Sequence, residues 1–305
     1  MGNTLTVISL LFILRAVYRL GFDFSGITNY PLFFLVILFS VCIKVLTVFI
    51  SGCVWGNWVS FFARRRCNPM DVLSVYTKAN IGKYLPGNVM QYVERNLFAD
   101  RMNVGQAQVA VSSILEALSL VFVAFIIALL SSMDRLSLAV HSVSERLGPS
   151  FFPILLLLLA VLFSASFIVM FIFRKRILPV LQSYSLSAFL RCALINALGQ
   201  GLVLFLLGAL FSLLYVFMGG NPEPSLLFLI IGGYVVSWVL GFVMPGAPGG
   251  IGVREYVIQL LIAPLIGAEI TLTISIIHRL ITILGDFAAY LIGALFLPRL
   301  KETVL

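Results

Sequence analysis

Long apolar runs separated by short polar breaks occupy most of this chain. They fall at about 4–21, 31–61, 105–131, 151–173, 187–217, 225–244 and 268–298. Each is close to or beyond the roughly 20 residues that a helix needs to cross a bilayer. Arg15 and Arg19 interrupt the first run, which reads as short or tilted with snorkelling arginines. Two regions depart from the pattern, at about 69–103 and 245–265. The first contains Gly82-Lys83-Tyr84-Leu85-Pro86-Gly87, then Glu94-Arg95. The second reads Pro245-Gly246-Ala247-Pro248-Gly249-Gly250-Ile251-Gly252-Val253-Arg254-Glu255. In both, an arginine follows the first proline by nine positions. Proline and glycine unwind helices and free backbone groups, which in lipid must be buried in protein or wetted.

Composition places the chain in a membrane. Hydrophobic residues make up 61% and charged residues 10%, with a mean hydropathy of +1.11; soluble domains carry about a quarter charged residues. The expected fold is an all-α polytopic integral membrane protein, one domain over 1–305. About six transmembrane helices are expected, with two oppositely oriented re-entrant hairpins bearing Pro-Gly tips. The first half, about 1–148, holds the hairpin 69–103; the second, about 149–305, holds 225–265. Together they form an inverted pseudo-repeat, an arrangement that carriers use. Orientation follows from Lys and Arg in short loops. Arg64-Arg65-Arg66, Arg174-Lys175-Arg176, and Arg299 with Lys301 are assigned to the cytoplasm, so the C-terminus is cytoplasmic and the membrane is the inner one. The loop 219–224, which has no Lys or Arg, goes outside. If 225–244 is instead a complete span, the C-terminus moves outside.

The net charge of +8 sits in short juxtamembrane clusters, which reads as topology and anionic-lipid contact rather than nucleic-acid binding. Cys42, Cys53, Cys67 and Cys192 show no metal-ligand spacing and read as core residues. The N-terminus does not read as a cleaved signal peptide. No convincing GxxxG spacing is expected in a span, hence at most a packed homodimer. No cofactor and no metal are expected, and the absence of a GK[ST] loop argues against direct nucleotide use.

The chemistry is assigned to the two tips and to charges inside apolar runs. A helix starting after Gly252 would point its free NH groups and partial positive charge inward, which suits phosphate. Arg254 in its first turn adds a forked donor, and Glu255 could orient it. The first tip supplies Lys83, Pro86, Gly87 and Arg95, the second Gly249, Gly250 and Gly252. Lys83 reads equally as the cytoplasmic edge of the hairpin. Glu116 lies twelve residues into its run, where a carboxylate is costly and wants an arginine partner. Arg279 and Asp286 are seven apart and share a helix face. Glu94, Glu116, Glu255, His278 and Asp286 are assigned to a charge network. The plainer alternative is that such a network only holds the bundle together, and a lone His278 is more often a satisfied core residue than a proton carrier.

The stretches GKYLPGNVMQYVER, AVSSILEALSLVFV, PGAPGGIGVREYVI and HRLITILGD together resemble the lysylphosphatidylglycerol synthase transmembrane family, over roughly residues 5–300. The resemblance implies a helical fold with re-entrant segments and transfer of an aminoacylated anionic phospholipid between leaflets. Arg95, Glu116, Arg254, Glu255 and Arg279 fall on the family's charged motif positions. The chain ends at Leu305 without the aminoacyltransferase domain of the two-part relatives, and no glycosyltransferase signature is found, so no enzymatic activity is expected. The leading expectation is a lipid translocase for an anionic or phosphate-bearing lipid, either an aminoacyl-phospholipid or a polyprenyl-phosphate-linked sugar. The alternatives are a membrane subunit partnering envelope biosynthesis enzymes, and a small-solute carrier with a His278–Glu116–Asp286 proton relay.

Overall fold

A chain of apolar residues in lipid has to satisfy its backbone internally, and a helix does so within one segment. The computed structural model is all-helical over the residues it describes, 30–85, 89–99, 102–132, 185–244 and 248–295. The helices are α1 (Tyr30–Ala63), α2 (Pro69–Asn80), α3 (Met90–Ala99), α4 (Gln106–Ser132), α5 (Leu186–Phe217), α6 (Pro224–Val243), α7 (Val253–Ile266) and α8 (Ala268–Leu295). Single 3-10 turns lie at Ile81–Tyr84 and Pro248–Gly250. Five of the helices, α1, α4, α5, α6 and α8, are long and apolar enough to cross a bilayer. The runs expected at 4–21 and 151–173, the basic cluster at 174–176 and the C-terminal basic residues lie outside the described residues.

The exterior and interior are exchanged relative to a soluble protein. Phe34, Leu38, Phe122 and Leu198 are exposed, while Lys44, Arg95, Glu116 and Asp286 are buried. Only lipid makes that distribution favourable.

Among the described residues the order of a long helix, a pair of packed helices and a long helix occurs twice, as α1 to α4 and as α5 to α8. In the first half, α2 begins with Asn68 capping the Met70 amide and with proline at its first position. It has 12 residues and α3 has 10, both well short of a ~30 Å crossing at about 1.5 Å per residue. The hairpin ends close to where it began. Arg65, just past α1, donates through Nη2 to the Met102 and Asn103 carbonyls at 2.6 and 2.9 Å, just ahead of α4. In the second half α6 and α7 pair antiparallel: Gly241 lies against Arg254 and Gly233 against Ile262. The end of α7 therefore returns towards the start of α6. The 20 residues of α6 are enough to span by length, so it differs from the short arms of the first hairpin.

Close packing in lipid relies on small residues that let backbones approach. Gly52 and Gly56 form a GxxxG pair that the sequence reading passed over. Both face α2, and a Cβ on Gly56 would come within 2.5 Å of Val72 Cγ1. The pair seats the first hairpin on α1 rather than marking a dimer surface. Gly199 sits against Val54, Gly208 against Ile231 and Gly293 against Thr77 in the same way. The larger apolar core joins α4 to α8 around Leu204, Phe211, Ile230, Ile262 and Ile281. A second core, around Trp55, Val59 and Val75, joins α1, α2 and α4.

Candidate functional site

The two 3-10 turns meet inside the bundle. Tyr84 of the first lies against Gly249 of the second. Beside this junction is a cavity of about 100 Å³, lined from α1, both hairpins, α4, α5 and α8. Among the described residues five cations line it, Lys44, Lys83, Arg95, Arg254 and Arg279, but only two carboxylates, Glu116 and Asp286.

Asp286 is the most heavily engaged group. It is 1% exposed. Its Oδ1 is 3.1 Å from Lys44 Nζ and accepts from Asn80 Nδ2 at 2.9 Å. Its Oδ2 is 2.7 Å from Lys83 Nζ and accepts from the Tyr84 hydroxyl at 2.7 Å. Both oxygens are occupied, and the carboxylate ties α1, the end of α2 and the first tip to α8. Arg279 shares the helix face as expected from spacing, but it is no partner of Asp286. Its Nη2 donates to the Gly249 carbonyl at 2.8 Å, holding the second tip, and its Nε has no hydrogen-bond partner.

The second charge pair is Arg95 with Glu116, an α3 arginine meeting an α4 carboxylate through Nη1 and Oε2. Glu116 Oε1 accepts from the Tyr76 hydroxyl at 3.0 Å. The Arg95 guanidinium is further enclosed by the rings of Trp55, Tyr76 and Tyr92, 5.3, 4.2 and 5.1 Å from their centroids. A charge removed from water is stabilised by such a combination of counter-ion, hydrogen bonds and ring faces.

Arg254, the positional counterpart of Arg95, is placed differently. Its guanidinium lies 4.9 Å from the Trp238 ring centroid. Its stem passes between Gly241 and Gly250, where an added Cβ would meet it at 2.4 and 2.7 Å. Its Nε is buried without a hydrogen-bond partner, and no carboxylate lies within salt-bridge distance among the described residues. Positive φ at Gly249 (56°) and Gly250 (75°) makes this narrow slot possible.

Several sequence expectations change at this point. Glu255 does not orient Arg254. Its Oε2 accepts from the Gly252 amide at 2.7 Å in a capping arrangement, and its Oε1 is 3.9 Å from Arg279 Nε. At the start of α7 the Gly252 N–H is taken, and Gly252 itself is exposed, outside the cavity lining. Glu94 is no part of the charge network. It is buried behind Gly82, outside the lining, with Oε1 unpartnered. His278 is also outside the lining: Nε2 lies 3.2 Å from the Leu207 carbonyl and the ring packs on Tyr234 and Phe211. That enclosure is a core setting and leaves no His278–Glu116–Asp286 chain. Pro86 and Gly87 lie outside the described residues.

Sequence reasoning missed Lys44, Asn80, Tyr76, Tyr84 and Trp238. Lys44 had a signal, as a single lysine deep in the run 31–61, under the same rule that singled out Glu116. The neutral residues had none.

Fold and site together define a multi-pass helical membrane protein with a cation-rich internal cavity. No protein-family model, curated protein or solved structure matches this chain.

Proposed function

We propose that this protein is a lipid translocase of the lysylphosphatidylglycerol synthase transmembrane type, which moves a phosphate-bearing lipid between leaflets of the cytoplasmic membrane. The observation that carries the reading is the excess of buried cations in the cavity where the two hairpin tips meet. Buried cations without counter-ions are costly in a membrane interior, and an anionic cargo group relieves that cost. Arg254 is the primary contact, because its buried Nε has no hydrogen-bond partner and no carboxylate faces it among the described residues. Lys83 and Arg279 stand close by. Arg95 is already neutralised by Glu116 and positions the first hairpin.

The proposed topology has both hairpins entering the membrane and returning to the side they left, from opposite faces. The Arg65 bridge to Met102 and Asn103 supports this for the first hairpin. The antiparallel α6–α7 register supports it for the second.

Leaflet exchange in proteoliposomes tests the reading, with fluorescent phosphatidylglycerol, lysyl-phosphatidylglycerol, phosphatidylcholine and a long-chain prenyl phosphate. One of the phosphate-bearing anions is expected to exchange. Arg254→Gln is expected to slow it about a hundredfold, the scale of a lost charge-assisted contact. No exchange of any lipid, or wild-type exchange by the variant, overturns the reading.

A further inference from the structure

Which phosphate lipid the cavity accepts can be read from how its charges are paired. Glu116 is matched by Arg95. Asp286 stands between two ammonium groups, Lys44 and Lys83, and offsets one of their two charges. Glu255, adjoining the lining, lies 3.9 Å from Arg279. Arg254 is opposed by nothing among the described residues. Among the described residues two positive charges therefore remain, one at the Lys44–Lys83 pair and one at Arg254. Arg279 Nε, apart from that long contact with Glu255, has no hydrogen-bond partner although the residue is only 6% exposed.

No free carboxylate lines the same space among the described residues. Both oxygens of Glu116 are taken, by Arg95 and Tyr76. Both oxygens of Asp286 are taken, each by one lysine and one neutral donor. The Trp238 ring already carries Arg254. Among the described residues an incoming ammonium would find no free carboxylate there, only neutral acceptors such as the side chains of Gln91 and Gln200.

We propose that the cavity is a receptor for a phosphate group carrying two or more negative charges, a phosphomonoester or a diphosphate, and that it excludes amine-bearing headgroups. The proposal rests on the lipid reading above and narrows its cargo, removing the aminoacyl-phospholipid option. A phosphodiester brings one negative charge and leaves half of the excess unanswered. A phosphomonoester near neutral pH brings roughly two. A lysyl-phosphatidylglycerol headgroup brings one phosphate charge and two ammonium groups into a site whose described carboxylates are already paired. The guanidinium of Arg254 supplies paired donors suited to two phosphate oxygens, and the glycine slot fixes their direction.

The test is equilibrium binding to the full-length protein in detergent micelles, by calorimetric titration. The probes are dioleoyl phosphatidic acid, dioleoyl phosphatidylglycerol, lysyl-phosphatidylglycerol and inorganic pyrophosphate. The first two share their acyl chains and differ in headgroup charge. Phosphatidic acid is expected to bind about tenfold more tightly than phosphatidylglycerol, with lysyl-phosphatidylglycerol weakest. Arg254→Gln is expected to abolish the preference and Arg254→Lys to keep part of it. Wild-type unfolding midpoints for both variants serve as the folding control. Pyrophosphate binding as tight as that of the lipid upholds the site and makes a soluble anion its source; weaker binding upholds it with the lipid as the source. Equal or reversed lipid affinities, no binding of any probe, or an unchanged preference in Arg254→Gln overturns the proposal. The preference without leaflet exchange removes translocation and keeps this site. Exchange without the preference does the reverse.

Discussion

Asp286 and Arg254 line the same cavity yet have opposite surroundings, and substitution should separate them. Asp286 carries four partners drawn from α1, α2, the first tip and none from its own helix. Asp286→Asn removes the counter-ion from two buried lysines. Breaking a buried pair typically costs about 3–5 kcal/mol. We expect a clear fall in the thermal unfolding midpoint of the purified protein, partly restored by adding Lys83→Met. A wild-type midpoint for Asp286→Asn would mean that the carboxylate does not hold the hairpin. Arg254 has no counter-ion to leave behind, so Arg254→Gln should melt at or above the wild-type midpoint while binding and exchange fall. A protein that loses stability with Arg254→Gln would contradict its assignment as an unsatisfied receptor group. The sequence pointed to both residues by one argument, charge in apolar surroundings. It could not tell the saturated group from the open one, because the difference lies in Lys44, Asn80 and Tyr84, which come together only through the fold.

At the level of elements, glycines do two kinds of work, and alanine substitution distinguishes them. Gly56 faces Val72, whose Cγ1 would lie 2.5 Å from an added Cβ. Val72 is buried and branched, so the α1–α2 contact has to open. Gly56→Ala should cost about 1–3 kcal/mol as overpacking, read as a lower unfolding midpoint. Gly241 faces the flexible stem of Arg254, with Cγ at 2.4 Å from an added Cβ. There the arginine can move aside. Gly241→Ala should therefore leave the midpoint nearly unchanged, shift the Trp238 fluorescence and reduce lipid exchange. A stability loss equal to that of Gly56→Ala, with exchange intact, would show that the slot packs helices and does not aim Arg254. The five long apolar helices were legible from run length, with described ends within a residue or two of their runs, α8 being described as far as Leu295. The short arms were legible as breaks. What their tips touch was not, since the Tyr84–Gly249 contact pairs residues far apart in the chain through turns that have no periodic signal.

The whole molecule raises the question of how two hairpins share one membrane. Among the described residues the order of long helix, paired helices and long helix occurs twice, and the two 3-10 turns meet beside the cavity. For the tips to meet near mid-membrane after entering from opposite faces, the flanks of each hairpin must lie on one side, and the two pairs of flanks on different sides. A cysteine-free background, with Cys42, Cys53, Cys67 and Cys192 replaced by serine, permits this to be measured with a membrane-impermeant maleimide in sealed vesicles. Arg66 and Gln106 flank the first hairpin, Asn221 and Glu269 flank the second, and all four are exposed. Single cysteines at Arg66 and Gln106 should label from the same side, and those at Asn221 and Glu269 from the other. If Asn221 and Glu269 label from different sides, α6 and α7 together cross the membrane. The C-terminus then changes sides, and the tip of the second hairpin no longer lies at the membrane interior. The charge count of the cavity would survive that result, because it depends on side-chain contacts alone. Access to the cavity from both leaflets would not, and a receptor for phosphate open to one face only would replace the translocase.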